Sequence, residues 1–116
     1  MSDWRDTEVR NEARSRDRNE WIEDIRSVMG DEAATDVYVC ECGDAACVER
    51  ITLTRPEYEA VRGYSTRFAI AVDHENPEID QLVSEGVRFS VVQKIAGRPA
   101  RIARQTDHRH RMLDPR

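Results

Sequence analysis

The sequence predicts an α+β fold, an N-terminal helix followed by a small antiparallel sheet, on three observations. Residues 5–29 have helical spacing, later segments carry the β-branched and alternating patterns of strands, and capping or turn residues punctuate them.

In the first element Trp21, Ile22, Ile25, Val28 and Met29 fall on one helical face, the side expected to pack. Upstream only Trp4, Val9 and Ala13 are apolar on that scale, while Asp6 precedes Arg10 and Glu12 precedes Arg16 by four residues. Acid-first pairs at this spacing support a helix in water, so the first half is predicted to be helical without being buried. Gly30 is the expected stop.

Residues 36–41, DVYVCE, alternate as a strand does, and the turn Gly43-Asp44-Ala45-Ala46 leads to a second strand at 48–53. Thr54-Arg55-Pro56-Glu57 has capping-box spacing, with Pro56 tolerated in a first turn, so a short helix runs to Arg62 and ends at Gly63. Tyr58 and Val61 give it an apolar stripe. Phe68, Ile70 and Val72 predict a half-buried strand, and Asp73 to Pro77 a polar loop. Residues 78–83 fit a helix or a strand. With 84–86 as a turn and 87–95 as a strand, a hairpin is the better reading. PARIARQ after Gly97 reads as a helix, and HRHRMLDPR as an exposed tail. The organisation predicted is a charged amphipathic helix over 1–29, a metal-binding α+β domain over 30–106 and a basic tail over 107–116.

Composition narrows the function classes. At 116 residues with 39% hydrophobic and 35% charged content, the chain buries a modest core that a bound metal would reinforce. Seventeen of its eighteen basic residues are arginine, Lys94 being the exception. The net charge of -5 is uneven: residues 30–85 carry thirteen acids against four arginines, and residues 86–116 eight basic residues against two acids. The basic third either neutralises the acidic middle or faces an anionic partner such as RNA. The charged N-terminus lacks an apolar signal core and no stretch reaches the ~18 apolar residues of a span, so a cytoplasmic, membrane-free protein with reduced thiols is expected.

All three cysteines, Cys40, Cys42 and Cys47, lie within eight positions. On a strand, side chains two apart share a face, so Cys40 and Cys42 can address one ion, and a turn through Gly43, free to take a positive φ, brings Cys47 back. Zinc takes thiolate and imidazole ligands in a tetrahedral shell. Zn2+ is therefore the expected cofactor, with His74 in the polar loop the preferred fourth ligand and His108, His110, Asp44 or a water the alternatives. A water would leave an open position suited to catalysis. An iron–sulfur cluster or a disulfide fits less well, because C-x-C-x4-C is not a thioredoxin-type pair and three cysteines leave one unpaired. No nucleophile triad, phosphate loop or dinucleotide fingerprint occurs, and Glu57, Glu59, Glu75, Glu78 and Asp80 read as a solvated face.

The stretch VCECGDAACVERITLTRPEYEAVRG, followed by RFAIAVDHE and VVQKIAGRPARIA, resembles a functionally uncharacterised family of small actinobacterial proteins. The family pattern runs C-E-C-x4-C, then L-T-x2-E-Y-x2-V-R, R-F, a histidine and V-V-x-K, often ending in D-P-R. It matches Val39 to about Ala103 and again Asp114-Pro115-Arg116, with Arg16, Asn19, Glu20 and Ile22 upstream. The resemblance implies that Cys40, Cys42, Cys47 and His74 form one motif. The chain departs from the family at Val72-Asp73-His74, where P-G-H is usual, and in the HRHRML before the ending.

The function expected from these readings is a non-enzymatic regulatory or adaptor protein that docks a protein partner through the N-terminal helix, with Trp4, Val9 and Ala13 as contacts. In that reading Trp21 either joins the contact or fills the core. The alternatives are an RNA- or ribosome-associated protein using Arg88, Lys94, Arg98, Arg101 and Arg104, and a zinc-site enzyme or thiol sensor.

Overall fold

A computed structural model describes residues 3–29 and 34–109. Helix α1 spans Trp4–Met29. Strands β1 (Asp36–Val39) and β2 (Arg50–Leu53) form an antiparallel hairpin in which Tyr38 faces Ile51. Helix α2 (Arg55–Arg62) follows, then β3 (Arg67–Ile70), β4 (Asp80–Glu85), β5 (Ser90–Lys94) and helix α3 (Arg98–Gln105). The last three strands make an antiparallel sheet of order β3-β5-β4, with a bulge between Leu82 and Ser84. The ambiguous segment after Asn76 is thus the first arm of a hairpin, whose turn closes through Gly86 N–H to the Phe89 carbonyl.

The sheet separates two apolar clusters. Phe68, Ile70 and Val92 point towards α1 and α3, where they meet Val9, Ile79, Ile102, Ala103, Cys40 and Cys42. Their chain neighbours Ala69 and Val91 point the other way, into a cluster with Tyr38, Ile51, Leu53, Tyr58 and Val61. This is the period-2 alternation of a sheet covered on both faces, so β3 is more fully buried than a half-buried strand. Thr54 caps α2 as its spacing indicates: its hydroxyl accepts from Glu57 N–H, and the Glu57 carboxylate accepts from Thr54 N–H.

Helix α1 reverses the expected burial. Asp6, Val9, Glu12, Ala13, Arg16, Asn19, Glu23 and Arg26 form the buried stripe, at three- and four-residue steps. Of the apolar face, Ile22 packs against the second cluster while the rest turns to solvent, with Trp21 67%, Val28 85% and Met29 81% exposed. Neither the unburied first half nor a core-filling Trp21 holds. The reason is pairing across the fold. Arg16 donates to the carbonyls of Ser65 and Ala103 and lies over the Phe68 ring, and Arg26 donates to the Tyr38 hydroxyl and the Ala34 carbonyl. Glu12 and Asp80 both hold Lys94, whose side chain is fully enclosed. Asp80 therefore belongs to the interior and not to a solvated face. Charged groups are buried where they are paired or hydrogen-bonded, and apolar periodicity is blind to that.

The segment after α3 is anchored where described. Asp107 is buried against Arg62, at 2.6 Å, and Arg109 bridges Glu20 and Glu59. His110 and the D-P-R ending lie outside the described residues.

Candidate metal centre

The metal turn begins where β1 ends. Glu41 N–H donates to the Ala69 carbonyl, so the chain continues alongside β3 in extended form, and Cys40 and Cys42 emerge on one side of it. Asp44 accepts from Ala46 N–H through its side chain and from Cys47 N–H through its carbonyl, a tight turn that brings Cys47 back. His74 arrives from the opposite direction, on the loop after β3, through a turn in which His74 N–H donates to the Ala71 carbonyl. Asp73 in that turn has φ 70°, a region that Asp tolerates better than most residues.

These elements bring one donor atom from each of Cys40, Cys42, Cys47 and His74 within 4.8 Å of one another. His74 Nδ1 is 3.6 Å from the Sγ atoms of both Cys40 and Cys47. A tetrahedron with metal–sulfur bonds of about 2.3 Å and a metal–nitrogen bond of about 2.0 Å has S···N edges of about 3.5 Å. The donors therefore stand at the spacing a single tetrahedral ion requires. Cys40 and Cys42 are buried and Cys47 is half-exposed. Cys40 also accepts Ala71 N–H at 3.1 Å, the kind of outer partner that orients a metal-binding thiolate.

Without a metal the three thiols differ. A hydrogen bond from Cys42 holds Cys40 below the usual thiol range, helped by Ala71 N–H. Cys42 is pushed up, first by that same bond and then by burial, and burial pushes Cys47 up. Thiols bind a metal as thiolates and release their protons as they do so, so metal affinity rises with pH.

Glu41 was missed in the sequence. Lying between two ligands, it points to the opposite side of the extended segment and is fully enclosed. Its Oε2 accepts from Asn19 Nδ2 at 2.8 Å and from the Tyr58 hydroxyl at 2.7 Å, and its Oε1 accepts Ala69 N–H at 2.9 Å. One carboxylate thereby ties the metal turn to α1, α2 and β3. The signal available was the i±1 alternation: if Cys40 and Cys42 face an ion, Glu41 faces the core.

Gly43 also has a different role from the one expected. It lacks a positive φ among the described residues, where Gly97 alone of the glycines has one. It is needed because α1 crosses so close that an added Cβ would meet both Cβ and the carbonyl oxygen of Glu8 at 2.8 Å. Gly43→Ala is expected to cost about 1–3 kcal/mol through forced backbone shifts, read from urea unfolding of the metal-loaded protein.

Among the other candidates, His108 lies 3.5 Å from Asp17, away from the thiols, and Asp44 serves the turn. The basic residues proposed for RNA are largely committed within the fold: Lys94 is buried between Glu12 and Asp80, Arg88 pairs with Glu57 and Arg98 with Asp6. Arg101 and Arg104 are exposed. Of the helix contacts proposed for a partner, Val9 and Ala13 are buried against the sheet and α3 side of the fold and present no surface, while Trp4 is 44% exposed.

Fold and site together define a small α+β protein with a Cys3His cluster able to hold a metal ion. No protein-family model matches the chain, and no curated protein or solved structure is significantly similar to it. No described helix is long and apolar enough to cross a membrane.

Proposed function

We propose that the metal is zinc, held structurally, and that the protein works without catalysis of its own by docking a protein partner in a reducing compartment such as the cytoplasm. The zinc assignment is supported by the donor set, since three thiolates and one imidazole at tetrahedral spacing suit zinc and supply all four ligands from the chain. A shell closed in this way has no position for a substrate. The adaptor role is carried by one observation, the solvent-facing stripe Trp21, Ile25, Val28 and Met29 on the second half of α1. Exposed tryptophan beside aliphatic residues is the composition of an interface anchor.

Affinity capture from native cells with the intact protein and with Trp21→Glu tests this. Position 21 is on the solvent side, so the variant is expected to keep its fold and metal content. It is expected to lose a protein that the wild type retains. Identical capture by both proteins would contradict the adaptor role, and capture of RNA in place of protein would favour the nucleic-acid alternative.

A further inference from the structure

The zinc shell is not equally protected on all sides. Cys47 is half-exposed whereas Cys40 and Cys42 are buried. A cavity of about 180 Å³ opens on Cys47 and Cys40 from outside, and its other walls include Asn11, Arg14, Ser15 and Arg18 of α1. Arg14 and Arg18 lie one helical turn apart on the exposed side of α1, and Arg14 donates to Asn11 Oδ1 at 3.0 Å. A small polar molecule entering this cavity meets Cys47 and Cys40 on one wall and Arg14 and Arg18 on another. A second thiolate stands within 4.8 Å of the first, close enough to attack it after a local shift.

We infer that Cys47 is a peroxide-reactive ligand, and that its oxidation and pairing with Cys40 release the zinc, a reading that rests on the zinc centre proposed above. The Cys47 thiolate attacks one oxygen of a hydroperoxide, forming an S–O bond as the O–O bond breaks. The departing oxygen takes a proton and leaves as an alcohol, or as water when the oxidant is hydrogen peroxide. Arg14 and Arg18 stabilise the charge that develops on that oxygen, as donors aimed at a leaving oxyanion do. The Cys40 thiolate then attacks the Cys47 sulfur, the S–S bond forms, and the hydroxyl leaves with a proton as water. Two thiolates have lost two electrons and the peroxide has gained them. The zinc, left with Cys42 and His74, departs.

The experiment uses the intact zinc-loaded protein, its metal content measured first, then treated with hydrogen peroxide in the presence of a chromogenic zinc chelator. One zinc is expected to appear per disulfide formed, with peptide mapping placing the bond between Cys40 and Cys47. Arg14→Met and Arg18→Met leave the four ligands intact, and each is expected to slow release about tenfold at unchanged zinc content, the effect of one lost charge-assisted contact. Zinc that stays bound in excess peroxide, a Cys40–Cys42 bond, or release from both arginine variants at the wild-type rate would overturn the inference while leaving the zinc centre standing. A protein that binds no zinc at the outset would overturn both.

Discussion

Replacing Lys94 with methionine is expected to destabilise the protein by about 3–5 kcal/mol at neutral pH, the usual cost of removing one partner from a buried charge group. Lys94 Nζ is held between Glu12 of α1 and Asp80 at the start of β4, with all three side chains essentially enclosed. Methionine fills the volume of the aliphatic stem but leaves two carboxyl groups facing each other without a cation. Glu12 Oε1 already lacks a hydrogen-bond partner. Acid should narrow the deficit, because the stranded carboxyls become neutral on protonation.

The wild type carries a weaker form of the same linkage. Burial pushes the Glu12 carboxyl from its ordinary 4.5 up to about 8, against the pull of Lys94. A raised acid takes up a proton on folding, so the contribution of Glu12 is greatest below about 4.5 and declines as pH rises towards 8. Urea unfolding of wild type, Glu12→Gln and Lys94→Met across pH 5–8 checks both statements. Glu12→Gln should flatten the slope, and a Lys94→Met protein as stable as the wild type would remove the charge group from the account.

The second large effect is loss of the metal. Stripping it with a chelator, or replacing Cys42 with serine, is expected to lower stability by at least about 4 kcal/mol, the linkage energy of a site a thousandfold saturated. Structural zinc sites commonly exceed this. The reason lies in the packing: Cys40 and Cys42 belong to the cluster of Val9, Phe68, Ile70, Ile79, Val92, Ile102 and Ala103, and Cys47 borders it. Glu41, held by Asn19, Tyr58 and Ala69, carries the constraint from the metal turn into α1, α2 and β3. Loss of the metal should therefore lower the melting temperature of the whole fold, measured by calorimetry with and without chelator. Melting confined to the turn, with an unchanged main transition, would contradict this.

The metal quartet was legible in the sequence because its signals are local and chemical. Three thiols clustered within one turn, a C-x-C spacing that puts two on one face, and a histidine in a polar loop after a strand leave few arrangements. The Thr54 capping box was legible for the same reason. The buried face of α1 was not. Trp21, Ile25, Val28 and Met29 mark a side that stays in solvent, while Glu12, Arg16, Glu23 and Arg26 go inside because their partners arrive from β5, α3, β1 and α2. Those partners are between 12 and 87 residues distant, and no periodicity within a helix records them. Gly43 shows the same limit: a turn glycine was expected from its neighbours, but its reason is the backbone of Glu8 across the fold.

The central claim, one metal ion held by three sulfurs and one imidazole, is tested most directly by X-ray absorption at the zinc edge of the intact, zinc-loaded protein. The expected shell contains three sulfur atoms at about 2.3 Å and one nitrogen at about 2.0–2.1 Å. Fewer than three sulfurs, or a shell without the outer-atom scattering of an imidazole ring, would contradict it.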